Sequence, residues 1–260
     1  MSIQNDYPAI IVTAKNRVDH FIQVFPSLIT QYGVNYEVVL VDFASNDELR
    51  SQVDKEITLR QIMFSPYLQK IIYVELQEDL KFNPRKAKNL GVANVSNDVN
   101  IIAFSDIDTF IGIDYLCYWI SKIEQNQSFF VTRQQESRAS YPRRLKPEIN
   151  YGNIIVSKSD FDGIGGWDES VGHYGGDDDD FCHRLKLKGL REINPISHTD
   201  ARQFSILHND DRRTKLMEVC VGTDKIENFR KIYENQIYKN NCCNFLTKTT
   251  NIFKTILFAK

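Results

Sequence analysis

The 260-residue chain is 42% hydrophobic and 25% charged, with a formal net charge of −2; it is long enough to bury a core without cross-links and gives no global reason to expect a nucleic-acid partner. Its five cysteines (Cys117, Cys182, Cys220, Cys242 and Cys243) are odd in number and form no CxxC pair, which argues against a zinc site and a disulfide framework. No basic stretch leading into an apolar core opens the chain and no run reaches the about 20 apolar residues of a membrane span, so a cytoplasmic setting is the expectation.

Residues 9–13 (AIIVT) are apolar and rich in β-branched side chains, as in a strand buried on both faces. Over 17–31, Val18, Phe21, Ile22, Phe25, Leu28 and Ile29 share one helical face, with Pro26 as a possible kink point. Further buried strands are read at 36–42 (YEVVLVD), 71–75 (IIYVE) and 100–105 (NIIAFS). Helices are read at 84–93, where Pro84 suits the first turn, and at 114–124. This alternation predicts βαβ units and a mostly parallel sheet in an open α/β fold, with the ligand beyond the carboxyl ends of the strands. Those ends carry Thr13 with Lys15 and Arg17, then Asp42, then Asp106 with Asp108. Asp42 can accept from a base or ribose and the two cations can face phosphates, which points to a nucleotide-like ligand.

Residues 134–150 (QQESRASYPRRLKPEIN) read as a long surface loop with Arg138, Arg143, Arg144 and Lys146. It is either a solvated lid or a contact for an acidic acceptor or lipid diphosphate. A strand is expected at 154–157, a short helix capped by Ser159, a helix at 178–188 ended by Gly189, and a short strand at 205–207 before His208. In 245–260, Phe245, Leu246, Ile252, Phe253, Ile256 and Leu257 share one helical face, with Lys248 and Lys254 off it. Such a helix either lies on an anionic membrane surface or docks on the domain.

Two stretches carry chemistry. Asp106 and Asp108, two apart in extended chain, point the same way; leaving a strand end together, they can hold a divalent cation against a diphosphate. The run HYGGDDDDFCHRLKLKG at 173–189 sets four aspartates after Gly175 and Gly176, whose backbone can turn tightly and approach a ligand closely. Free amides and the dipole at a helix start stabilise negative charge, yet four acids exceed what capping needs. Successive residues point about 100° apart, so the run divides: at least one faces the cleft as a general base and another meets a polyol. His208, after a short apolar run, is a candidate ligand for a transition metal.

The segments VTAKNR, VLVDFASND, RKAKNLGVA and FSDIDTF together resemble the nucleotide-binding half of family-2 glycosyltransferases of the GT-A fold. GNIIVSKSDFDGIGGWDESVGHYGGDDDDFCHRLKLKG, followed by HNDDRRTK, resembles the C-terminal motif shared by β-1,4-galactosyltransferases and bacterial chondroitin-polymerase-type enzymes. The resemblance spans about residues 8–230. It implies a Rossmann-like nucleotide-binding half (1–112) and an acceptor-binding, catalytic half (113–230), followed by a helical tail (231–260).

Carried over by position, the resemblance implies that Thr13, Lys15, Arg17 and Asp42 contact the uridine of a UDP-sugar. Arg85 and Lys88 would lie near the diphosphate and Asp106 near the ribose. Asp108 and His208 would ligate Mn2+ (or Mg2+), and Asp178 would be the general base. Asp177 and Asp179 would hold sugar hydroxyls beside Gly176, while Trp167 and Tyr174 would offer aromatic faces. The implied activity is inverting transfer of galactose or an N-acetylhexosamine to a hydroxyl of a glycan acceptor, free or lipid-linked, in bacterial surface polysaccharide synthesis. Aspartate at 177 instead of glutamate, His173 and Tyr174 in place of a tryptophan-rich pair, Ser205 in place of a methionine ligand, and a single glycine at 152 leave donor and acceptor open. Two other classes stand beside this one. A sugar nucleotidyltransferase would carry a glycine-rich phosphate loop, which VTAKNRVDH lacks. A calcium-dependent carbohydrate-binding module would account for the acids but not for the strand ends, and expects spaced ligands.

Overall fold

The computed structural model describes residues 6–77, 82–124, 128–131, 152–170, 177–195, 202–205 and 252–260. Four parallel strands form its centre: β1 (Pro8–Ala14), β2 (Tyr36–Phe43), β3 (Leu68–Leu76) and β4 (Ile101–Asp106), ordered β3-β2-β1-β4. Every residue of β1 and β2 is buried. Alternation sends Ile10, Val12, Val38 and Leu40 into one core layer and Ile11, Val39, Val41 and Val74 into the other, which is why these strands read as unbroken apolar runs.

The first layer is covered by α1 (Val18–Ile29), α2 (Leu49–Arg60) and α4 (Tyr115–Glu124). The second is covered by α3 (Pro84–Ala93), α5 (Lys158–Gly163) and α6 (Asp177–Leu187). Beyond β4 the sheet continues through β7 (Ile154–Ser157), β6 (Ser128–Val131) and β8 (Arg191–Ile193). A separate antiparallel ladder joins β5 (Thr109–Ile111) to β9 (Gln203–Ser205).

The chain leaves β1 toward β2 on one side and returns beside it as β4 on the other, so a crevice opens at the carboxyl ends of these strands. Register brings the predicted residues together there: Ala14 lies opposite Asp42, and Thr13 opposite Asp106. Helix α3 reaches this edge by packing close to the sheet. A β-carbon on Gly91 would come within 2.3 Å of Ile11 Cγ2 and 3.2 Å of Val41 Cγ2. Gly91→Ala is therefore expected to lose about 1–3 kcal/mol by overpacking, measured by urea unfolding.

Two expectations are corrected. Residues 252–259 are not helical; they form β10 (Ile252–Ala259), antiparallel to β3 at the sheet edge. A short apolar run satisfies either period, and the open edge of β3 decides the matter by supplying backbone partners. Ile252 packs into one core layer, Leu257 and Phe258 into the other, and Phe258 meets Phe64 edge-on at 4.9 Å. Helix α5 is capped by Ser157, whose Oγ accepts from the Asp160 amide at 3.0 Å, and not by Ser159. Pro26 lies inside α1, which runs from Val18 to Ile29. Helix α2 and strands β5, β6 and β8 were not anticipated. Residues 134–150 and 245–251 lie outside the described residues. Among the described residues no helix is long and apolar enough to cross a membrane.

Candidate active site

The aspartate run opens α6, and an aromatic seat fixes where it points. Phe181 stacks on Trp167 with centroids 4.1 Å apart, and Phe104 stands edge-on to both. From this seat the four carboxylates take different surroundings. Asp180 turns inward, 1% exposed, and its Oδ2 accepts from Arg184 Nε (3.0 Å) and Nη2 (2.8 Å). Arg184 Nη1 donates to the carbonyls of Ile164 and Gly166, tying the helix to a turn in which Gly165 and Gly166 have φ of 75° and 68°. Those angles exclude most side chains at little cost to glycine. Asp180 thus serves the structure. Asp179 is exposed.

Asp177 and Asp178 face α3. Lys88 Nζ lies 3.3 Å from Asp178 Oδ1 and 3.9 Å from Asp177 Oδ2, over the Trp167 ring at 4.1 Å from its centroid. The ammonium is buried beneath the acidic run and offsets its repulsion. Arg85, one turn earlier on α3, is completely buried. Trp167 departs from expectation: at 1% exposed, with one face on Phe181 and Lys88 over its ring, it offers no surface to a sugar.

Asp106 joins the same cluster from β4. Burial, then repulsion by Asp108, Asp178 and Asp177, pushes its carboxyl up to about 7 despite Lys88. Asp178 is pushed up to about 6 by burial, with Asp177 and Asp179 adding and Lys88 opposing. For Lys88, burial acts downward, but Asp178, Asp177 and Asp106 outweigh it and hold the proton more tightly than on an ordinary lysine. Carboxylates from two distant stretches therefore sense one another across a single buried cation. Such an excess of hard oxygen donors suits a divalent ion. Among the described residues no group of three or more His, Cys, Asp or Glu side chains is arranged to hold a metal.

The other side of the crevice is formed by the loops after β1 and β2, laced together by hydrogen bonds. Asn16 N–H donates to Ser45 Oγ, Asn46 N–H to Asn16 Oδ1, and Val18 N–H at the start of α1 to Asp47 Oδ2. Asn16, Ala44 and Glu48 hold left-handed φ of 54°, 54° and 61°, strain of the kind that persists where surroundings impose it. Lys15 and Arg17 are half-buried on this rim, with Lys15 Nζ 5.9 Å from the Phe43 ring centroid. Thr13 lies behind them. Asp42 is 3% exposed; Oδ1 accepts from Ser45 N–H and Oδ2 from Tyr73 Oη at 2.5 Å.

Tyr174, Gly176 and His208 lie outside the described residues. Sequence reasoning missed Asn89, which grips the turn before the acidic helix: its Oδ1 accepts from Trp167 N–H and its Nδ2 donates to Trp167 O and Glu169 Oε1. It also missed Tyr73, Asn153 and Gln203. Their sole sequence signal was a polar residue inside or beside an apolar strand.

The pattern of glycosyl transferase family 2 matches residues 9–176. The chain belongs to that family, and its sheet and crossovers are those of the GT-A fold. No curated protein matches it. Among solved structures it is similar to the mannosyltransferase PcManGT of Pyrobaculum calidifontis, in complex with GDP-Man and Mn2+ (TM-score 0.64, 17% identity, 87% of this chain and 64% of that one). It is similar to S. aureus TarS 1–349 in complex with UDP-GlcNAc (0.59, 17%, 80% and 60%). It is also similar to Drosophila β-1,4-galactosyltransferase 7 in complex with manganese, UDP-Gal and xylobiose (0.53, 15%, 80% and 73%). At these identities the likeness is one of fold. The chain spans less than two thirds of the mannosyltransferase and of the TarS fragment.

Proposed function

We propose that the protein transfers a hexose or N-acetylhexosamine from a UDP-sugar to a hydroxyl of a glycan acceptor, with inversion, and that it serves in building a surface polysaccharide. The observation that carries this is the meeting of the strand-end aspartates with Asp177 and Asp178 around Lys88, beside the crevice edge formed by Thr13, Lys15, Arg17 and Asp42. Nucleotide sugars in three structures of the same fold support it.

In this reading the Thr13–Asp42 edge receives the uridine, and Asp178 is the general base. Its carboxylate takes the proton of the acceptor hydroxyl while that oxygen bonds to the anomeric carbon and the bond from that carbon to the diphosphate oxygen breaks. The displacement is single, so the configuration inverts. A carboxyl pushed up to about 6 is matched to proton transfer near neutrality. Lys88 orients Asp178 and keeps it from turning toward solvent; Asp177 and Asp179 would meet sugar hydroxyls. Asp108 would hold Mn2+ or Mg2+ together with His208, and such an ion would neutralise charge on the leaving diphosphate.

The test is UDP release from a panel of UDP-sugars with Mn2+ and with chelator. Release from one sugar class, at least about 100-fold faster with metal, is the expected result. Binding of glycan with no release from any nucleotide sugar would instead indicate a carbohydrate-binding module.

A further inference from the structure

Asp42 sets a charge near the end of the buried run of β2. It is 3% exposed, and its partners among the described residues are two neutral donors: Ser45 N–H meets Oδ1 at 2.9 Å and Tyr73 Oη meets Oδ2 at 2.5 Å. Buried charges are ordinarily paired with an opposite one. Two neutral hydrogen bonds leave part of the desolvation cost uncovered, and they fill two of the about four acceptor positions of a carboxylate. A further donor, brought by a ligand at the crevice edge, would use what is left.

Tyr73 is the other half of the arrangement. It lies in the middle of β3, completely buried, in a core layer where phenylalanine would fill the same space. Burial and the charge of Asp42 keep the proton on its hydroxyl, so toward Asp42 it acts as the donor. The Arg50 guanidinium covers its ring at 4.7 Å from the centroid. An O–H···O contact of this length is of the charge-assisted kind. With Ser45 on the other oxygen, it stops the carboxylate from turning about its last bond. An ionised carboxylate accepts and never donates. Held still, it favours a base that offers N–H, as uracil does at N3, and repels one that offers a lone pair there, as cytosine does.

We propose that Tyr73 is a positioning residue that clamps Asp42 as a fixed acceptor for the N–H edge of the donor's base, and thereby sets the preference for uracil over cytosine. The proposal rests on the transferase reading above, in which this edge receives the nucleotide.

The experiment is UDP and CDP binding to the full chain, by calorimetry, for wild type, Tyr73→Phe, Asp42→Asn and the double variant, with thermal unfolding of each. Wild type should hold UDP about 10–100-fold tighter than CDP, the range of a hydrogen bond to a charged group. Tyr73→Phe should weaken UDP binding and leave CDP binding unchanged, cutting that preference about tenfold. In the Asp42→Asn background the same substitution should change the preference no further, because the clamp acts through Asp42. A folded Tyr73→Phe whose preference falls less than about threefold would show that the phenol merely fills the core and overturn the proposal. If Tyr73→Phe does not fold, NMR of tyrosine-labelled wild type decides. The Tyr73 hydroxyl proton should be protected from exchange and should shift with UDP but not with CDP; a signal indifferent to UDP would overturn the proposal equally. Wild type that binds UDP and CDP alike, or neither, would remove the reading of this edge as the nucleotide site, a different result from a preference that survives loss of the hydroxyl.

Discussion

Asp178→Asn is expected to lower turnover by about 10²–10⁴-fold, the usual worth of a positioned general base, while UDP binding stays near the wild-type value. The side chain keeps its size and its place in the first turn of α6, so nothing in the aromatic seat of Trp167 and Phe181 changes. The pH profile carries the sign. A base must be ionised to accept a proton, and burial with Asp177 beside it pushes Asp178 up to about 6. Turnover of the wild type should hold above that pH and fall about tenfold per unit below it. In the asparagine variant the residual rate should lose that acidic limb. A variant that retains both its rate and its limb would assign the base elsewhere.

The second large effect concerns stability. Lys88→Met removes the cation between Asp106, Asp177 and Asp178. Leaving one side of a buried ion pair without its counter-charge costs about 3–5 kcal/mol. The pH dependence again has a definite direction. Burial and mutual repulsion already hold Asp106 and Asp178 above ordinary carboxylates, and without Lys88 both rise further. An acid whose folded proton affinity is raised favours the fold at low pH and opposes it as pH climbs through the folded value. The deficit of Lys88→Met should therefore be largest above pH about 7 and shrink below pH about 6, as followed by urea unfolding across that range. A deficit under about 0.5 kcal/mol, the size of an inconsequential surface change, would mean that Lys88 does not offset the acids.

The fold was legible where periodicity was unambiguous. Strands β1, β2 and β4 carry branched apolar side chains to two covered faces, and α3 announces itself with Asn83, whose side chain accepts from the amides of Arg85 and Lys86, followed by Pro84. Helix α2 was not legible because its outward face is polar almost throughout and only Leu49, Val53, Glu56 and Ile57 turn inward. For the acidic run, the sequence indicated that its members divide, but not how. The assignment of Asp180 to structure depends on Arg184 four residues on, a helix-spaced partner visible in the sequence. That Asp177 and Asp178 share Lys88, which is 90 positions from Asp178, depends on how α3 and α6 lie against one sheet, which no local pattern reports. Trp167 was misjudged because an aromatic ring beside glycines reads the same whether it faces a ligand or a core.

Strand β10 has a practical consequence for anyone shortening this polypeptide. Its backbone occupies the edge of β3, and the irregular register between Ile256 and Phe258 roughens the new outer border. Cutting before residue 252 would uncover a nine-residue parallel strand with a row of unanswered amides, the usual template for aggregation. An insoluble truncated product would then reflect a lost seam rather than a lost catalytic part.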